Sequence, residues 1–207
     1  MTSIDRTAYP RFRRAVSARE LHESFTPDLD EIGWAGERTH SPQGLLALVV
    51  WLKSFQRLGR FPGLGEVPPQ VVDHVRGLLG LGAGVAPELD SDRTGKRYRA
   101  WVRERVGVVH DPAVAVELAE KVIGEAALLK DNPADLINVA LEELVRARLE
   151  LPGYTTLDEL AGRIRTRVND SFVELICSRP EPGEREQLLG LLVVGWTRRP
   201  GAAGSTR

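Results

Sequence analysis

Cysteine is all but missing from this sequence. Cys177 stands alone in 207 residues, which rules out an internal disulfide and a thiolate cage around a metal and suits a reducing, cytoplasmic setting. Net charge of either sign is missing too: 28 Lys and Arg against 29 Asp and Glu leave −1, so no global field draws the chain toward nucleic acid or membrane. No apolar run approaches the length of a membrane span, and the N-terminus, with Asp5 and Arg6 and no apolar core, is not a signal peptide. Runs of alternating apolar and polar residues are lacking, which argues against a sheet. The four histidines, at 22, 40, 74 and 110, stand singly with no partner at i+3 or i+4 to share a metal, so no metal or other cofactor is expected. Gly80, Gly82 and Gly84 follow a helical pattern rather than a strand and read as a helix stop and linker, not a dinucleotide loop.

Helix signals dominate what remains. Thr26-Pro27, Ser41-Pro42, Asp111-Pro112 and Asn132-Pro133 each set a capping side chain before a proline whose missing N–H costs nothing in a first turn. Thr156 with Glu159 has the spacing of a capping box. One-sided apolar spacings follow: Leu118, Val122, Ala126 and Leu129; Ile137, Leu141, Leu144 and Val145; Leu157, Leu160, Ala161, Ile164 and Val168. Breaks fall at residues 59–65, 80–87 and 151–155. At 42% hydrophobic residues the chain has the means for a core. The expectation is an all-α protein.

The same arrangement is written twice, about ninety residues apart. Ser41-Pro42 opens an apolar run that passes through Arg57-Leu58 into Phe61-Pro62-Gly63-Leu64 and a second amphipathic stretch; Asn132-Pro133 opens another that passes through Arg148-Leu149 into Leu151-Pro152-Gly153-Tyr154 and a stretch carrying Ile164-Arg165. The reading is two related, helix-turn-helix-like subdomains in tandem, at residues 1–89 and 90–178, followed by a short helix and disordered tail at 179–207. Tandem units suit a protein lying along an extended partner.

Charge is patterned locally. Residues 20–37 hold six acidic groups and no Lys or Arg, whereas residues 93–105 hold Arg93, Lys96, Arg97, Arg99, Arg103 and Arg105 against Glu104 alone. On a helix, Tyr98, Trp101, Val102 and Val106 would face a core, with Lys96, Arg99 and Arg103 in a stripe elsewhere. That stripe reads either as a phosphate-binding row or as a solvated face paired with the acidic stretch. Smaller basic groups recur at Arg11, Arg13 and Arg14, at Lys53, Arg57 and Arg60, and at Arg163, Arg165 and Arg167. No convergent set of titratable groups marks an enzyme.

The chain resembles the N-terminal region of transposases of the replicative, Tn-three type transposons. The phrases that carry the resemblance are Phe25-Thr26, the run from Leu48 to Pro62, Glu66-Val67-Pro68 with Val71-Val72, Val102-Arg103-Glu104-Arg105-Val106-Gly107, and the run from Leu151 to Leu157. The resemblance implies a helical region with paired DNA-binding domains that grips the terminal inverted repeats, without catalysis of its own. One departure stands out: such transposases usually place a histidine shortly before the Val-Arg-Glu phrase, where this chain has Tyr98-Arg99-Ala100-Trp101. The nuclease domain that follows in these transposases is not in this sequence, so a truncated gene or an end-binding module made alone is expected. The DNA contacts are expected at Arg57, Arg60, Arg93, Lys96, Arg97, Arg99, Arg103, Arg105, Arg163, Arg165 and Arg167. The other reading is a protein-interaction or inhibitory relic that associates with full-length transposase.

Overall fold

The computed structural model describes residues 3–178 apart from Arg14; the expected short helix and tail at 179–207 lie outside the described residues. The fold is all-α, with about 68% of the described residues helical. Among the described residues eight helices run α1 Ala18–Phe25, α2 Leu29–Gly36, α3 Pro42–Leu58, α4 Pro69–Leu78, α5 Asp92–Val106, α6 Pro112–Ala127, α7 Pro133–Arg146 and α8 Tyr154–Ser178. The sole extended pairing among the described residues is an isolated bridge between Val109 and Leu149.

Three of the Pro-marked starts hold: Ser41, Asp111 and Asn132 each accept a first-turn N–H at the heads of α3, α6 and α7. Two boundaries differ from expectation. Thr26 closes α1, and Asp28 caps α2 in a reciprocal box with Glu31, because the carboxylate two residues on offers a charged acceptor to the orphan N–H groups. α8 begins at Tyr154, directly after Pro152-Gly153, so Thr156 lies inside its first turns rather than at a cap.

The core is built on α3. Leu46 through Leu52, Phe55 and Leu58 are all buried, so this helix is covered on nearly every side. α1, α2, α4 and α5 pack against it. Tyr98 and Val102 bring α5 into the same cluster as Phe25, Trp51, Val71 and Val75, with Trp101 and Val106 half-buried at its edge. Tyr98 fits because Gly44 has no side chain: a Cβ there would stand 2.7 Å from the Tyr98 hydroxyl. The expected division at residue 89 therefore falls inside one compact unit, Met1–Ile164. The glycine-rich segment with Gly80 in the left-handed region at φ 65° joins α4 and α5, whose Val75 and Tyr98 share one core.

α6 and α7 form the closest helix pair. The buried row of α6 is Ala115, Ala119, Ile123 and Ala127, one position on from the expected Leu118, Val122, Ala126 and Leu129, the last of which is 90% exposed. Three of the four buried residues are alanines, so α6 buries its small side chains and leaves larger ones at its edge. Val145 likewise turns outward on α7, 62% exposed. The second unit, from Arg165, holds the distal part of α8, where Phe172, Val173, Leu175 and Ile176 are exposed.

The two echoed segments are each helix, loop and helix, and their loops meet. The Leu151 N–H donates to the Gly59 carbonyl at 3.0 Å, and a Cβ on Gly59 would stand 3.0 Å from Leu151 Cδ1. Gly59 caps α3 at φ 65°, as Gly80 follows α4 at φ 65°, but a Cβ on Gly80 would meet nothing within 4 Å. Gly80→Ala should therefore cost only left-handed strain, about 1 kcal/mol, and Gly59→Ala about 1–2 kcal/mol more. Equal urea midpoint shifts for the two variants would refute the close approach.

Ser54, in the middle of α3, is fully buried, and its hydroxyl has no hydrogen-bond partner among the described residues. Ser54→Ala removes an unsatisfied polar atom with almost no change of volume and should raise stability by about 1 kcal/mol. A lower urea midpoint for that variant would show that the hydroxyl is satisfied in solution.

Candidate nucleic-acid interface

α5 owes its ends to Ser91, whose hydroxyl accepts the Thr94 N–H at 3.2 Å, and to Gly107 at φ 70°. Between them the burial of Tyr98 and Val102 fixes the rotation of the helix, and that rotation sorts its cations by depth.

Arg99, Arg103 and Arg105 lie toward the protein. Arg103 Nε donates to Glu150 Oε2 at 2.6 Å, and its guanidinium carbon is 5.1 Å from the centre of the Phe61 ring. The Arg103 and Glu150 side chains are only 18% and 13% exposed, and His110 Nδ1 stands 3.0 Å from the same Glu150 oxygen. Arg105 pairs with Asp30 at 2.6 Å over the ring of Trp34, and Arg99 sits 5.4 Å from the centre of the Trp51 ring. Arg93, Lys96 and Arg97 are exposed, with Arg97 over Trp101 at 5.0 Å. The Lys96, Arg99 and Arg103 row is thus split: Lys96 faces solvent, Arg99 covers an aromatic ring, and Arg103 is committed to a carboxylate. Aromatic side chains from α3 and its following loop line this side of α5, and an arginine stem lying over them buries apolar area that a solvent-facing one would not.

The acidic stretch is spent within the fold. Glu31, 5% exposed, receives Lys53 Nζ at 3.1 Å and Gln56 Nε2 at 2.7 Å, while Glu20 lies 3.5 Å from Arg57 and Asp30 takes Arg105. Of the basic stretch at 93–105, Arg105 alone pairs with the acidic stretch among the described residues; the other two cations held there, Lys53 and Arg57, come from α3.

The remaining expected contacts are scattered. Arg60 is 3.9 Å from Glu66 and lies over Tyr9 at 5.7 Å. The Tyr9 hydroxyl donates to the Pro152 carbonyl at 2.9 Å, and burial raises its pKa, with the Arg60 charge opposing. Arg163 is 3.4 Å from Glu120 of α6. Arg165 and Arg167 belong to the second unit, the former half-buried and the latter exposed. Arg14 lies outside the described residues. Tyr98 is an interior side chain, and burial raises its pKa. Among the described residues no group of three or more His, Cys, Asp or Glu is placed to hold a metal, and no helix is long and apolar enough to cross a membrane.

Sequence spacing passed over Arg146 and Arg148 at the end of α7. Arg148 is the one non-glycine at positive φ among the described residues, 53°, a backbone state that no residue pattern announces.

Depth should separate the α5 cations in stability. Arg103→Ala leaves Glu150 poorly solvated and should cost about 2–3 kcal/mol, below the 3–5 kcal/mol of a fully enclosed pair. Replacing Arg93, Lys96 and Arg97 together with alanine should move stability by no more than about 1 kcal/mol. Urea unfolding of both variants checks this, and a costly triple variant would contradict the sorting.

The model of a domain of unknown function, DUF4158, matches residues 1–164 and so ends where the first compact unit ends. No curated protein matches the chain. A match over that much of the sequence shows that the chain belongs to the DUF4158 family.

Proposed function

We propose that this chain is a DNA-binding module of a Tn-three type transposase that recognises the terminal inverted repeats of the transposon, with no bond-breaking step of its own. The observation that carries the reading is the family match across residues 1–164, since this family is commonly found in transposases of that type. The phrases at Leu48 to Pro62, Val102 to Gly107 and Leu151 to Leu157 support it. They fall on α3 and its following loop, the C-terminal half of α5, and the start of α8.

The exposed cations of α5 are the phosphate contacts in this reading, with Arg163 as a further contact of the first unit, while Arg165 and Arg167 are proposed by themselves as contacts of the second unit. Arg93, Lys96 and Arg97 project from the first turns of α5 with a free face toward solvent, as phosphate binding needs. Arg103 and Arg105 act indirectly, by holding that helix on the core.

Mobility-shift titration tests the proposal. The protein should bind duplex carrying the inverted repeat of its parent transposon at nanomolar to micromolar concentration, at least about tenfold more tightly than scrambled duplex. Alanine at Arg93, Lys96 and Arg97 should weaken both complexes alike and reduce the magnitude of the slope of log affinity against log salt by about 0.9 per contact, about 2.7 in all. Equal affinity for the two duplexes would leave only electrostatic adhesion, and an unchanged slope would remove α5 from the interface.

A further inference from the structure

Where the ends of α3, α5 and α7 converge, two adjoining depressions of about 560 and 510 Å³ share Pro10, Val145, Arg146 and Leu151. Together they form one groove. Its floor is apolar, from Phe55, Leu58, Val106, Leu149 and Leu151, and Val145 stands on it 62% exposed. The charged residues lining the larger depression are Arg57, Arg146 and Arg148, of which Arg57 is shared with Glu20 at 3.5 Å and Arg146 with Glu143, while Glu142 stands in the smaller.

Arg148 is the informative member. α3 and α5 end on glycines in the left-handed region, Gly59 at φ 65° and Gly107 at φ 70°, whereas the corresponding place after α7 is taken by Arg148 at φ 53°. The backbone there is fixed by the helix cap: the Leu149 N–H donates to the Leu144 carbonyl at 3.0 Å, and the Arg148 carbonyl accepts the Val109 N–H at 2.9 Å. Glycine meets that requirement without strain, so the cap does not call for an arginine. The side chain is exposed, and no ion pair holds it among the described residues. It runs past Gly107, where a Cβ would stand 3.6 Å from Arg148 Nη1. An exposed arginine with no ion pair, at a strained place that glycine would fill, points to a ligand.

We propose that this groove docks an acidic, apolar-faced segment of a protein partner, a helix whose large aliphatic side chains enter the floor while a flanking carboxylate meets Arg148 and others share Arg57 and Arg146 with Glu20 and Glu143. The chemistry favours a peptide over DNA. A phosphate backbone has no use for an apolar floor, whereas an amphipathic helix uses floor and rim together. The inference stands apart from the DNA reading, since none of the exposed α5 cations lines the groove.

The test uses the full chain and a fluorescein-labelled helical peptide of about fourteen residues, with leucines at i, i+3 and i+7 on one face and glutamates flanking them. Anisotropy at about 0.15 M salt should give micromolar binding, at least about tenfold weaker when every glutamate is replaced by lysine. Arg148→Gly should weaken the glutamate peptide at least about fivefold while leaving the melting temperature equal or higher, a split that a purely structural arginine would not produce. Val145→Asp, at an already exposed position, should abolish binding with the fold intact. Equal binding of the two peptides, no binding of the glutamate peptide at millimolar concentration, or wild-type affinity in both variants would overturn the proposal. So would displacement of the peptide by short duplex DNA whose own binding is lost in Arg148→Gly, which would assign the groove to nucleic acid.

Discussion

The burial of α3 is the constraint on which the rest of the first unit depends. A helix apolar on nearly every side cannot lie at a surface, so Leu46 through Leu52 must be covered from several directions at once. At about 1.5–3 kcal/mol for each large side chain buried, this helix is the largest single source of stability visible in the unit. Four helices meet the demand, and α5 is one of them because Tyr98 fits over Gly44. The only polar strip left on α3 carries Lys53, Gln56 and Arg57, and the acidic residues of α1 and α2 settle over it. Glu31 serves two ends at once, closing the capping box of α2 and taking Lys53 and Gln56 of α3.

Arginine is used here as a packing residue as much as a charge. Six guanidinium groups lie over aromatic rings among the described residues, where about one such contact per 70–80 residues is usual. Four of the six come from α5: Arg97, Arg99, Arg103 and Arg105. Lysine would keep the charge at these places and lose the planar stacking, so the basic character of α5 is partly a record of how that helix is attached. Trp34 shows the same use twice, with Arg38 at 5.1 Å and Arg105 at 4.9 Å, the latter tying α2 to α5.

How much of this was legible in the sequence follows from which forces act locally. Ser41, Asp111 and Asn132 mark helix starts because a cap is a contact between residues two or three apart, and the proline beside each leaves little alternative. The core face of α5 was legible too, since Tyr98 and Val102 repeat at helical spacing. The buried row of α6 was not. Size ranks Leu118 and Leu129 above Ala115 and Ala119, and tertiary packing reverses that order. The cations were least legible of all. Lys96 and Arg103 are the same distance from neutrality in a sequence, yet one is in water and the other is held between Glu150 and the Phe61 ring. Arg148 differs from Arg146 in its left-handed backbone and in lacking the carboxylate partner that Glu143 gives Arg146, and neither is written in residue type.

Pairing also decides where affinity for DNA can originate. Arg57, Arg60, Arg103, Arg105 and Arg163 each stand within 4 Å of a carboxylate, whose charge must be solvated again if the arginine turns to a phosphate. Such an exchange trades one anion for another and adds little free energy, most plainly at Arg103, where Glu150 is nearly enclosed. An exposed, unshared cation has no such cost: it replaces a condensed counterion at the phosphate, and the released ion supplies the gain. A chain with a net charge of −1 can therefore carry a DNA-binding face only where its cations outrun its own carboxylates. In the first unit the opening turns of α5 meet that condition by exposure, and the rim formed by Arg146 and Arg148 meets it in part, since Glu143 already holds Arg146. The apolar floor beside that rim is what separates the two surfaces chemically: α5 offers charge alone, whereas the groove offers charge together with desolvation, which a protein segment can use and a phosphate backbone cannot.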